Sequence, residues 1–315
     1  MVQKKRQKKE KTENRKSVIK MHNYLRAIGF SKLKNKIEEN TLITASLNDY
    51  SNRSEIEIGS DTTLIQITKS IGPGIGLCIV AEQDQNHTMT VDHVFPYCTG
   101  TSKTSQSDIQ IEGHFDKEAY SGISDDYNLE ITLIYAIQNI TDYVRSTWSN
   151  TFYQPPKHVK FGALSIHGRI LYGIKLESMA YPYEKQPISN QERRNLIARA
   201  KSGDMDALEN LTLDDMDTYS LVNKRIKDED LYTIVETYFM PYGIDNEQYA
   251  ILGIIKKFEQ ITNEFSEEIV YNLTILCNDI TLNVAINSLD LEGEPEVGRR
   301  FKGIIWLQGW VYFSE

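Results

Sequence analysis

No hydrophobic run in this chain is long enough to cross a bilayer. Spanning needs roughly 18–20 consecutive apolar residues. The longest runs, around Ile304–Leu307 and Trp310–Phe313, are short and broken by Gln308-Gly309. Cysteine is scarce as well. Cys78, Cys98 and Cys277 are odd in number and match no metal-ligand spacing. Two of them sit in strand-like segments, so the expectation is buried thiols in a reducing cytoplasm. None of the histidines His22, His87, His93, His114, His158 and His167 stands in HExxH or HxH spacing, which argues against a zinc hydrolase. No G-x-S-x-G elbow occurs, and no apolar segment of the secretory type follows the basic start. No cofactor is expected.

What is present is an acidic body behind a basic lead. Residues 1–20 carry nine Lys/Arg against Glu10 and Glu13, a net of +7. That leaves 26 basic and 42 acidic side chains on residues 21–315, a net of −16. An acidic body disfavours nucleic acid and anionic membranes as partners of the whole protein, since phosphates need a basic face. Nucleic acid is then unlikely except through residues 1–20, and these hold no aromatic residue for base stacking.

Periodicity divides the chain into segments. Met21–Phe30 and Ser31–Leu47 read as helices, the first ended by Gly29 and the second capped by Ser31. Strand signals follow from about Thr63. Ile75, Leu77, Ile79 and Ala81 alternate before a turn at Asp84–His87, and Leu129–Ile137 is a further strand. Phe161–His167 and Arg169–Leu176 read as a hairpin about Gly168. Tyr181–Pro187, with two prolines, reads as a linker. Ser189–Glu192 and Thr212–Asp215 fit helix-capping patterns. Leu231, Ile234, Val235 and Tyr238 make a helical stripe that Pro241 and Gly243 stop. Alternation about Asn278-Asp279 marks a tight hairpin, and Gly303–Phe313 reads as a central strand.

The expected fold is α+β with mainly antiparallel strands. Residues 1–20 form a basic lead, 21–180 an N-terminal lobe and 188–315 a C-terminal lobe. Helices are expected at 190–240 and an antiparallel sheet at 246–314.

Several motifs, in order, carry a resemblance. They are Met21–Phe30, Gly72-Pro-Gly-Ile-Gly-Leu77, Phe95-Pro-Tyr97, Tyr120–Asp126 and Leu211–Tyr219. Tyr238–Gly243, Cys277-Asn-Asp279 and Gly293–Gly309 complete the set. Over residues 21–315 the chain resembles an uncharacterised family of bacterial proteins from clostridia and their relatives, a domain of unknown function. The resemblance implies a cytoplasmic protein with one architecture that begins near Met21. It implies no reaction.

The chemistry-bearing residues also admit structural roles. Gly72–Gly76 lacks the following helix of a phosphate cradle and reads as an inter-strand turn. Asp214, Asp215 and Asp217 suit the first turn of a helix better than a cation site. Asp125 and Asp126 read as a turn before a buried strand, with a catalytic pair as the alternative. Arg299, Arg300 and Lys302 form a loop that could hold a phosphate or carboxylate, unless Glu292, Glu294 and Glu296 neutralise it.

The first functional expectation is a non-catalytic cytoplasmic binding protein for a protein partner or small anionic ligand. The second is an enzyme of unrecognised type using Asp125, Asp126, Arg299 and Arg300 between two lobes. The third is nucleic-acid association through residues 1–20.

Overall fold

The computed structural model describes residues 22–313 except 34, 60, 104–108, 114–119, 127–130, 149–154, 174–189, 214–215, 217–231, 233–234, 244–246 and 279. The basic lead and the linker Tyr181–Pro187 lie outside the described residues. No helix among them is long and apolar enough to cross a membrane. The fold is α+β and mainly antiparallel.

The chain opens with a 3-10 helix, Asn23–Ile28, ended by Gly29 at φ 94°. Only a residue without a side chain takes that left-handed conformation at little cost, so the expected stop holds. Helix α1 (Lys36–Asn48) starts later than Ser31. Its cap is Asn35, whose side-chain oxygen accepts from the N–H groups of Ile37 and Glu38. Ser31 is drawn away by tertiary contact: its hydroxyl and its N–H both donate to Glu268, at 2.7 and 3.1 Å.

Four strands form an antiparallel meander: β1 (Asn52–Glu57), β2 (Thr62–Gly72), β3 (Ile75–Asp84) and β4 (Met89–Cys98). Pro73-Gly74 turns the chain between β2 and β3, with Gly74 at φ 74°, so the glycine-rich motif is a turn.

A second sheet holds β5 (Ile109–Gly113), β6 (Tyr120–Asp126), β7 (Ile131–Ile137), β8 (Pro156–Leu171), β9 (Tyr238–Pro241), β10 (Gln248–Thr262), β11 (Ile269–Cys277), β12 (Ile280–Asn287), β13 (Leu291–Glu292) and β14 (Arg300–Phe313). Part of this sheet closes on itself. β8 pairs in parallel with β12, which pairs with β11, then β10, then β14, and β14 returns to β8 over Arg300–Phe313. These five strands form a barrel, and β7, β6 and β5 continue from β14 beyond it.

Side-chain alternation fills the barrel. Ile280, Leu282, Val284 and Ile286 of β12 share one core with Leu273, Ile275 and Cys277 of β11 and with Phe301 and Ile305 of β14. The opposite face carries Leu164, Ala285, Val270 and Ile261. These pack with Tyr24, Leu25 and Ile28 and with Ile65, Ile67 and Ile79 of the meander. The 3-10 helix is thus wedged between the meander and the outer wall of the barrel. Burying Ile28 completely contributes about 1.5–3 kcal/mol.

Four local expectations are corrected. β8 is one continuous strand, not a hairpin at Gly168. A Cβ there would meet the Phe301 ring at 2.4 Å and Ile286 at 2.8 Å, so the glycine admits close packing rather than a turn. Tyr238 starts strand β9 instead of ending a helix, because Tyr238–Pro241 pairs with β10. Thr212 lies inside the helix at 205–213, its hydroxyl bonded back to the Leu208 carbonyl; the cap is Asp204, which accepts from the Ala207 N–H. Asp125 and Asp126 close strand β6 opposite Thr132 and Ile131 rather than standing in a turn.

Helix α2 (Ile140–Trp148) went unread, while α3 (Asn190–Lys201) begins where the capping pattern put it. The sheet also runs across the expected lobe boundary, since β8 lies between β12 and β14. The tight hairpin holds, with Asn278 at φ 46° between Cys277 and Ile280.

Candidate functional site

The three nominated bases are taken up by the protein itself. Arg300, buried at the start of β14, donates to three main-chain carbonyls: Tyr172 at 3.0 Å, Val235 at 2.9 Å and Tyr232 at 2.8 Å. Burial holds its pKa below the usual arginine value, against the opposing pull of Glu236. Arg299 pairs with Glu296 at 2.5 Å, donates to the Glu294 carbonyl and stacks over the Tyr172 ring. Lys302 donates to the Tyr232 hydroxyl and lies over that ring. Glu292 is drawn off to Arg169 at 2.6 Å. The loop therefore manages its own charge and ties Tyr232 and Val235 to the barrel. The side chains of Asp125 and Asp126 lie outside the described residues. Asp214, Asp215 and Asp217 do so entirely.

The cysteines are buried and free, as their sequence context indicates. Burial pushes the Cys98 and Cys277 thiols up to about 12, and that of Cys78 further. Thiolates are correspondingly scarce near neutrality.

A different face concentrates positive charge. At the start of β8, the side chains of His158 and Lys160 stand on one face, directly opposite Tyr312 and Trp310 of β14. The His158 and Tyr312 rings are stacked, 4.4 Å between centroids and 8° between planes. Lys160 Nζ lies 5.1 Å from the Tyr312 centroid. Lys103 bridges to Lys160 where β12 no longer flanks β8, and Lys157 is exposed beside them. Among the described residues, no carboxylate pairs with Lys103, Lys157 or Lys160. His158 registers this crowd: burial first, then Lys103, Lys160 and Lys157, lowers its pKa, and its Nε2 is buried without a hydrogen-bond partner. A neutral imidazole among three ammonium groups is the state that such crowding favours.

Trp310 also forms one wall of a polar cleft of about 200 Å³. Asn52 and Ser54 of β1, paired with Thr68 and Gln66 of β2, form its floor. Asn139, Thr141 and Asp142, at the start of α2, form another wall. Much of this lining is already bonded. Gln66 joins the Gln138 carbonyl and the Thr141 N–H, and Asn139 exchanges two bonds with the Val311 backbone. Asp142 is held by Arg145 and Asn139. Asn52 and Thr68 make no side-chain hydrogen bond among the described residues. None of the five nominated residues lines the cleft.

Lys103, Lys157, His158, Lys160 and Tyr312 escaped the sequence reading. The visible signal was Lys157-His-Val-Lys160, three basic or titratable groups in four residues. Its partners Lys103 and Tyr312 are remote in sequence, and only β8–β14 register brings them together.

The fold and this face define an α+β protein with a closed barrel and a cation-lined aromatic surface. The chain belongs to the family described as a domain of unknown function from an E. rectale gene (DUF3881), whose model matches residues 25–309. No curated protein and no solved structure matches the chain.

Proposed function

We propose that this is a non-catalytic cytoplasmic binding protein for a small anionic ligand, held on the face formed by Lys103, His158, Lys160 and Tyr312, with Lys157 exposed beside it. One observation carries the reading: three ammonium groups gather and, among the described residues, no carboxylate pairs with them, in a chain whose body is acidic. Like charges held together raise the local potential, and an arriving anion relieves that repulsion. The stacked His158–Tyr312 pair fixes a flat floor beneath the cations. The buried free thiols support the cytoplasmic part.

Thermal unfolding with inorganic phosphate tests this directly. Phosphate at millimolar concentration is expected to raise Tm above that in chloride of equal ionic strength, by linkage to the folded state. The double variant Lys157→Glu/Lys160→Glu is expected to abolish the difference. Equal Tm in both salts would remove the proposal.

A further inference from the structure

We infer that the ligand is a phosphate monoester of a hydroxyl-bearing ring, its phosphate on the lysine face and its ring in the cleft against Trp310. The inference rests on the anion-binding reading and adds the second half of the ligand.

Two features adjoin through one strand. Trp310 and Tyr312 are two residues apart on the same face of β14, hence roughly 7 Å apart along it. Tyr312 belongs to the cationic face and Trp310 to the cleft. Lys160 stands directly opposite Trp310, so it sits at the junction. A ligand whose phosphate meets the lysines has its next atoms beside the indole.

The cleft selects what those atoms are. At about 200 Å³ it falls below the roughly 300–1,000 Å³ of sites for drug-sized molecules and suits a single ring. Its lining is mostly amide and hydroxyl, with one indole wall and two charged side chains, Arg53 and Asp142, which are paired with Glu55 and Arg145. A sugar ring matches both surfaces, with C–H groups on its faces and hydroxyls around its edge. The Asn52 amide and the Thr68 hydroxyl supply uncommitted hydrogen-bonding groups, and they face each other across β1 and β2. Asp142, at the far wall, is a carboxylate already held by Arg145 and Asn139. Its oxygens accept ring hydroxyls. Ribose phosphates and hexose phosphates share this chemistry.

Isothermal titration of the full chain with inorganic phosphate, ribose, ribose 5-phosphate, glucose 6-phosphate and AMP tests it. At least one ring phosphate is expected to bind about tenfold or more tightly than inorganic phosphate, a gain of about 1.4 kcal/mol. Trp310→Ala and, independently, the near-isosteric Thr68→Val are expected to reduce that gain while leaving phosphate binding intact. Circular dichroism confirms folding of each variant, and Thr68→Val remains informative if Trp310→Ala unfolds. The ring phosphate that binds most tightly identifies the source: AMP a nucleotide, ribose 5-phosphate a pentose phosphate, glucose 6-phosphate a hexose phosphate. Ring phosphates no tighter than inorganic phosphate would overturn the inference and leave anion binding standing. No binding of any phosphate would overturn both.

Discussion

Arg300 shows how a residue type can be read correctly and its role missed. A sequence displays an arginine beside other bases in a Gly/Pro loop, and anion binding follows by habit of chemistry. The fold instead aims the guanidinium at the carbonyls of Tyr172, Tyr232 and Val235. Removing the donor leaves buried acceptors unmatched, so Arg300→Met is expected to destabilise by about 2–4 kcal/mol, read from urea unfolding. Anion affinity measured on the folded variant should be unchanged. His158 gives a second expectation at this scale. Its folded pKa is depressed, so below the unfolded value of about 6.5 the unfolded chain binds the proton more tightly. Stability therefore falls as pH drops through that value towards the folded pKa. His158→Phe retains a ring on Tyr312 and removes the titration. Its Tm should decline less between pH 7 and 5 than that of the parent.

Among the elements, β8 is the one whose surroundings override its local pattern. Glycines within it look like turn points, yet they are places where other strands touch it. At Gly162 a Cβ would stand 1.8 Å from the Cys98 carbonyl oxygen and 2.7 Å from its carbon. The end of β4 thus crosses β8 backbone against backbone. Gly162→Ala is expected to cost about 3 kcal/mol, since main chain cannot move aside as a side chain can. Gly59→Ala, where a Cβ meets nothing within 4 Å, should stay within about 0.5 kcal/mol and serves as the control. Paired chemical unfolding curves decide the matter. Strands with clear alternation and a local turn, β11 and β12, needed no such correction, because their partner is the neighbouring segment.

For the whole molecule, the meander and the barrel share the wedge of residues 24–30. Ile28 touches no solvent and belongs to the core that joins both. The two sheets are accordingly expected to unfold together. Ile28→Ala should lower stability by about 2–5 kcal/mol in a single transition. Tryptophan fluorescence, which reports Trp306 and Trp310 on the barrel together with Trp148 of α2, should coincide with far-ultraviolet dichroism, which reports all strands. Two separated transitions would show that each sheet stands alone. The sequence reading placed a boundary near residue 180, where prolines cluster. It had no means to see that strands on either side of that segment pair with each other.

The α+β class, the buried thiols, the turn at Pro73-Gly74 and the tight hairpin between β11 and β12 were determined by the sequence alone. Each depends on neighbours a few residues apart, through alternation, capping and the conformational freedom of particular residues. Barrel closure, the continuity of β8, the occupation of Arg300 and the cationic face were decided only by the tertiary structure. All of them depend on register between remote strands. Lys103, Lys160 and Tyr312 are unremarkable until β14 returns to β8 and sets them on one surface. Pairing of that kind arises from packing of the whole core, and no local window of sequence contains it.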